Sequence, residues 1–352
     1  MRKWLIKIDT RCGTSCFMSQ TKFGVGFPTG MEGMMYPIPF AGTDELVEIA
    51  CEAERLEFDS VGGNDHIVTQ EYVKKSWKLS PRYYEPFGTF AYIAGKTEEI
   101  KLNTAVTVLP FRDTVWVAKQ AATLDVLSKG RLIFGVGIGA YREEFESIKP
   151  NEKASRGAIM DESMEALQQL LKGPAQYQGE HVKFNQMDLH PRPVQDPLPI
   201  YVGGNHPKAM LRAVKWGNGW LPFALTPNEI QQKKMQMEKF CAVENRDIKE
   251  IDIAPQLVCC IDEDSDVAKK NFEASQVFEH MKSLVQSTLK DQEFEGLMDV
   301  TLVGSPEEII ERLDMYHEVD VNHFPAIMFA ANDVEEMLRN LKIFSNDVMP
   351  SF

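Results

Sequence analysis

The chain has 352 residues, 43% of them hydrophobic and 26% charged, and a formal net charge of -14 at pH 7. An acidic balance with no Lys/Arg-rich block speaks against a nucleic-acid partner. No window reaches the roughly 18 to 20 apolar residues that span a bilayer, so no membrane role is expected.

At the N-terminus, Arg2-Lys3-Trp4-Leu5-Ile6 is basic then apolar, but Lys7 and Asp9 interrupt it too early for a signal-peptide core. Residues 1–21 read as an extension, either a loose tail or a start taken too early, with translation beginning at Met18. Six cysteines, Cys12, Cys16, Cys51, Cys241, Cys259 and Cys260, form neither paired CxxC elements nor a secreted disulfide framework. Reduced thiols, a cytoplasmic location and no metal site are the expectation.

From residue 22 onward short apolar strands alternate with helical segments, the pattern of a parallel sheet. The first strand is Lys22 to Pro28. A helix follows behind Thr43 as N-cap, with Leu46, Ile49, Ala50, Ala53 and Leu56 on one face. Phe58 to Gly62 reads as strand two, and a helix over Phe87 to Lys96 leads to strand three, Ile100 to Leu109. Val117, Ala121 and Leu124 mark the next helix, and Arg131 to Gly137 is strand four.

A helix with Met160, Met164, Leu167 and Leu171 on one face, a Gly179-centred polar segment and Pro191-Arg192-Pro193 form an insertion between strands four and five. Strand five is Pro199 to Gly203, strand six Gly219 to Phe223, strand seven Ile251 to Ile261 and strand eight His323 to Phe329. Ser305-Pro306-Glu307-Glu308 is a capping box with proline at the first helical position. A closing helix begins near Asn332. Eight strand-helix units predict a single (β/α)8 TIM barrel over residues 22–352, whose active site lies at the C-terminal ends of the strands.

Those ends hold the candidate residues. Strand two ends in Gly62-Gly63-Asn64-Asp65-His66, where adjacent Asp and His supply an orienting carboxylate, Asp65, and an imidazole suited to proton transfer, His66. The other reading of His66 is a ring that satisfies a loop carbonyl. Strand four ends in Gly135-Val136-Gly137-Ile138-Gly139, either a tight strand-to-helix turn or a bare backbone for a cofactor; the Rossmann spacing GxGxxG is absent. Strand five ends in Gly203-Gly204-Asn205-His206-Pro207, with Asn205 or His206 capping a helix whose N-terminus suits a phosphate. The segment from Ile67 to Glu85, with Trp77, Tyr83 and Tyr84, lines the pocket or forms a dimer contact. There is no HExxH zinc motif and no GxSxG nucleophile elbow.

In order and spacing, several segments resemble the bacterial luciferase-like monooxygenase family over roughly residues 22–345. They are Asn64-Asp65-His66, Leu124 through Gly139 with Glu143-Glu144-Phe145, Arg156-Gly157 with Asp161-Glu162, His190 to Gln195, Ile200 to Asn205 and Gly217 to Pro222. The resemblance implies a barrel that binds coenzyme F420 or, alternatively, reduced FMN at the strand C-termini. It implies a non-proline cis peptide behind the cofactor ring, mapping to Ala105-Val106. It implies phosphate contacts from Gly203, Gly204 and Asn205, ring or linker contacts from Gly137, Ile138 and Gly139, and an acid/base role for His66 beside Asp65. Trp220 maps to the pocket, although Asn218 stands where an Asp is common. A small-molecule substrate and a homodimer follow from the same resemblance, together with a separate flavin reductase if FMN is the cofactor.

Overall fold

The computed structural model describes residues 20–149, 152, 153, 155–285 and 296–352. Cys12, Cys16 and Met18 lie outside the described residues. The first half runs β1 (Lys22–Phe27), α1 (Thr43–Arg55), β2 (Ser60–Gly63), α2 (Glu71–Ser76), α3 (Pro86–Ala94), β3 (Lys101–Thr104), β4 (Thr107–Val108), α4 (Thr114–Leu127) and β5 (Leu132–Gly137). Then come α5 (Arg142–Ile148), α6 (Arg156–Leu170) and an antiparallel pair, β6 (Ala175–Gln178) and β7 (Lys183–Met187). The alternation resumes with β8 (Ile200–Gly203), α7 (Pro207–Trp216), β9 (Gly219–Leu221), α8 (Pro227–Glu244), β10 (Asp252–Ile253) and β11 (Leu257–Ile261). It ends with α9 (Ser265–Glu273), α10 (Gln276–Val285), β12 (Thr301–Gly304), α11 (Pro306–His317), β13 (His323–Phe329) and α12 (Val334–Ile343).

The result is an α/β protein built on one curled parallel sheet in the order β10-β9-β8-β5-β3-β2-β1-β13-β11-β12, with β4 added beside β5. The run from Asp252 to Ile261 carries the curl. At its start Ala254 and Gln256 donate to the carbonyls of Trp220 and Pro222, and further along Ala330 donates to Cys259. One segment therefore bonds both to β9 and to the end of β13.

Side chains sort into two layers by strand alternation. Phe134, Val136, Ile200, Val202 and Trp220 face the helices and join the main core. Ile133, Tyr201, Leu221 and Ala254 form a separate interior cluster, with Val106 packed on it. Helix α1 buries Leu46, Ile49, Ala50 and Ala53 as its periodicity predicts, while its N-cap is Gly42 and Thr43 is its first residue.

Several expected boundaries move for identifiable reasons. Strand three is not continuous from Ile100 to Leu109: it breaks after Thr104, the Ala105–Val106 peptide is cis, and pairing resumes at Thr107. Strand seven is likewise two pieces, because Ala254 and Pro255 stand outside the paired residues between β10 and β11, with Gln256 in an isolated bridge to Phe223. Strand β12 was not expected; it pairs Thr301–Gly304 with Val258–Ile261 on the far side of β11 from β13. Among the described residues no helix is long and apolar enough to cross a membrane.

Candidate active site

The break in strand three explains the glycines of strand four. A Cβ on Gly135 would strike the carbonyl of Thr104, and one on Gly137 would sit 2.6 Å from Val106 Cγ2. On the other flank, a Cβ on Gly203 would sit 2.7 Å from Val106 Cγ1. The Val106 isopropyl group is therefore wedged between two strand ends that carry no side chain. Gly139 has φ +78, a conformation open to glycine at little cost, and it turns the chain towards α5. Ile138 is 37% exposed at the same mouth.

His66 follows β2 and lies at this mouth. Its Nδ1 is 2.8 Å from Oε2 of Glu144, which reaches it from α5. The other Glu144 oxygen accepts the backbone N–H groups of Ile67 and Val68 at 3.0 and 3.2 Å. Burial pushes the Glu144 carboxyl up, but the hydrogen bond and charge of His66 and the two backbone donors outweigh it and hold the group below its ordinary range. A carboxylate accepts only, so the shared proton belongs to Nδ1 and Nε2 is the atom left for chemistry. Gln70 Oε1 accepts from Tyr83 Oη at 2.8 Å; Gln70 Nε2 also stands 3.0 Å from the same Nδ1, but a nitrogen that carries the proton shared with Glu144 cannot accept from it, so that approach is a contact and not a hydrogen bond.

Asp65 does not orient His66. It accepts from Arg112 Nη2 at 2.8 Å, from Arg112 Nε at 3.1 Å and from the Val108 amide at 3.0 Å. Successive residues at a strand end point to opposite sides, so the sequence neighbour turns away. Glu144, distant in sequence, takes the place given to Asp65. Its position in the Glu143-Glu144-Phe145 segment was the only signal in the chain.

A wall of aromatic rings adjoins His66. Tyr83 and Tyr141 lie with ring centroids 5.6 and 5.7 Å from the imidazole. Tyr72 Oη is 3.2 Å from Tyr141 Oη and 3.1 Å from Nδ1 of His280. Burial raises all three tyrosine hydroxyls above their ordinary range, Tyr141 to about 12. They are neutral donors at any working pH.

The second glycine pair behaves differently from expectation. Gly204 has φ +119, and its amide donates to the Leu221 carbonyl at 3.1 Å. The Asn205 side chain is occupied at both ends, donating to Phe223 O at 2.8 Å and accepting from Phe223 N at 2.9 Å. His206 is the N-cap of α7, taking the Lys208 amide on its own Nδ1. Pro207 has no N–H and Ala209 donates to the His206 carbonyl. Neither the Asn205 side chain nor the first turn of α7 is left for a phosphate.

Trp220 is also corrected. It is fully buried on the helix side of β9, and its Nε1 donates to the Gly204 carbonyl at 2.8 Å. It braces the loop and does not line the mouth.

Two features fit an anionic, ring-bearing cofactor at these strand ends. Arg156, at the start of α6, donates from Nη1 to the Gly139 carbonyl at 2.6 Å. Burial and the neighbouring Arg142 lower its affinity for its proton, against an opposing pull from Glu146. Thr107 Oγ1, directly after the Val106 wedge, is buried with no partner among the described residues. Arg156 and Glu144 were both missed as individual residues, because loop geometry and not local spacing brings them to the mouth. Among the described residues, no group of three or more His, Cys, Asp or Glu is arranged to hold a metal.

A curled parallel sheet with the candidate residues at its C-terminal rim defines an α/β scaffold of a kind that carries many chemistries. The profile of the luciferase-like monooxygenase family matches residues 21–323, and the chain belongs to that family. It is 27% identical over 333 residues to the oxygenase component of a flavin-dependent trigonelline monooxygenase from Acinetobacter baylyi, covering 88% of this chain and 89% of that one. It is 24% identical to an F420-dependent glucose-6-phosphate dehydrogenase from Amycolatopsis mediterranei, over 88% of this chain and 94% of that one. The crystal structure of a Streptomyces bottropensis monooxygenase superposes with a TM-score of 0.78 at 21% identity, covering 94% and 99% of the two chains, and shows the shared fold. The protein is an oxidoreductase of the flavin- or F420-dependent, luciferase-like kind.

Proposed function

We propose that this enzyme moves a hydride between coenzyme F420 and a small organic substrate, with His66 giving or taking the accompanying proton at Nε2. The observation that carries the reading is the His66–Glu144 contact at 2.8 Å, which fixes the ring and leaves its outer nitrogen for substrate. When bound, the cofactor supplies the two-electron chemistry. The chain's own part is to seat it. Val106 and the bare backbone of Gly137, Ile138 and Gly139 form the surface for the ring or its linker, with Ala105 on the other side of the cis bond. Arg156 and the backbone amides of Asn205 and His206 are the donors for its phosphate. Gly203 makes room for Val106, and Gly204 sets the loop.

In this reading residues 22–352 form one closed eight-stave barrel, the run 252–261 acts as a single stave, and α5 to β7 are the insertion between staves four and five. A cytoplasmic homodimer belongs to the same proposal. Light scattering on the purified protein tests the dimer.

A second reading is favoured by the similarity to a two-component oxygenase. There FMN, reduced by a separate flavin reductase, would be the cofactor and the substrate would be oxygenated. Equilibrium titration with F420 and with oxidised and reduced FMN separates the two. Tight F420 binding with none for FMN supports hydride transfer; the converse removes it in favour of the oxygenase.

A further inference from the structure

Helix α10 touches the candidate site at two points one turn apart. Gln276 Nε2 donates to the Gly33 carbonyl at 3.4 Å, and His280 Nδ1 meets Tyr72 Oη at 3.1 Å. His280 is buried, only 5% exposed. From Tyr72 the contacts continue to Tyr141, whose ring lies against His66 and whose hydroxyl is 3.9 Å from Met34 Sδ.

Each hydroxyl carries one proton, so this chain has two self-consistent directions. In one, His280 Nδ1–H donates to Tyr72, Tyr72 to Tyr141 and Tyr141 to the Met34 thioether. In the other, Tyr141 donates to Tyr72 and Tyr72 donates to a bare His280 Nδ1. The second ends on an imidazole nitrogen, a far stronger acceptor than a thioether sulfur at 3.9 Å.

We propose that His280 is a positioning residue of the active site: its bare Nδ1 accepts from Tyr72, and through that bond it holds Tyr141 against the His66 ring. The inference deepens the acid–base reading of His66 and rests on it for its importance. The groups facing His280 agree with a neutral ring. Tyr72 comes from α2, and His66 acts on it electrostatically from the end of β2; Tyr72 itself faces Tyr141, Tyr83 and Glu143. Burial foremost, and the charge of His66 second, push His280 down to about 4.

The test is nitrogen and carbon NMR of ring-labelled histidines in the cofactor-free protein, so that an error about F420 or FMN leaves it untouched. In the wild type His280 is expected as the Nε2–H tautomer with Nδ1 unprotonated. Tyr72→Phe removes one oxygen atom, and His280→Leu removes the acceptor. Both should displace the His66 ring signals, and His280→Gln, which restores an acceptor, should return them towards wild type. A wild-type His280 protonated at Nδ1 overturns the proposal. So do His66 signals that stay in place in a folded Tyr72→Phe protein, a variant small enough to fold if His280→Leu does not.

Discussion

Asp65 and Arg112 form a two-point ion pair, Oδ1 to Nη2 at 2.8 Å and Oδ2 to Nε at 3.1 Å, beside the candidate site. The guanidinium also lies over the Phe87 ring at 5.8 Å and meets Glu85 at 3.1 Å. With its third bond, to the Val108 amide, Asp65 ties the end of β2 to the segment that follows the Ala105–Val106 break. Removing one partner of a buried pair costs about 3–5 kcal/mol when the other charge is stranded, and the half-exposed Glu85, which would remain beside Arg112, points to the low end of that range. Asp65→Ala is therefore expected to lower the melting temperature markedly in calorimetry, while Val243→Ala, at an exposed position of α8, leaves it nearly unchanged. Equal melting temperatures for the two variants would show that Asp65 is not a structural tie.

Glu144→Gln keeps the shape of the side chain and removes its charge. A hydrogen bond to a charged group contributes about 1.5–3 kcal/mol, so turnover that depends on the His66 proton should fall roughly 10- to 100-fold. A low-field Nδ1–H resonance, protected from exchange by the Glu144 bond, is expected in the wild type. It should persist in Asp65→Asn and vanish in Glu144→Gln.

The same carboxyl has a pH consequence with a definite sign. Its affinity for a proton is lower folded than unfolded, so its stabilisation is complete above the ordinary carboxylate value of 4.5 and is lost as pH falls through the lowered value. Wild type and Glu144→Gln should differ most in stability near neutral pH and converge in acid. A difference that grows on acidification would reverse the assignment.

The fit of Val106 between Gly137 and Gly203 yields a rescue experiment. An added methyl at either glycine overpacks the wedge, and overpacking of this kind costs about 1–3 kcal/mol. Gly137→Ala should destabilise the protein and weaken cofactor binding. Combining it with Val106→Ala, which removes the colliding methyls, should restore much of both. Thermal melts and a flavin or deazaflavin titration of the single and double variants decide it; additive losses would mean that the two residues do not share the space.

How much of this was legible beforehand follows from the range of the interactions. The alternation of strands and helices, the face of α1 and the capping box at Ser305 are local, and they appear where sequence periodicity puts them. The glycines at 137, 139, 203 and 204 were found as residues, but for the first and third the reason is the Val106 side chain, which no spacing records. Asp65 was given His66 because they are adjacent, and a strand end sends adjacent side chains apart. Glu144 reaches His66 across 78 positions, a contact that only the tertiary fold creates. Asn205 reads as free from local spacing because the carbonyl and amide of Phe223 that occupy it lie just past the end of β9.

Arg156 offers the most direct test of where the cofactor's anion sits. It donates to the Gly139 carbonyl, is half-buried, and has no carboxylate within ion-pair distance among the described residues, Glu146 acting on it only from further off. Lys233 also comes near this loop, but its Nζ donates to the Asn205 carbonyl at 3.2 Å. If Arg156 meets a phosphate, Arg156→Met removes a charged hydrogen bond of about 1.5–3 kcal/mol, so affinity for the phosphorylated cofactor should fall roughly 10- to 100-fold. Affinity for the dephosphorylated analogue, riboflavin or the deazaflavin nucleoside without its tail, should barely change, because the ring surface at Val106 is intact. An equal loss for both forms would assign Arg156 to shaping the Gly139 turn, and the phosphate would then belong at the Asn205 and His206 amides alone.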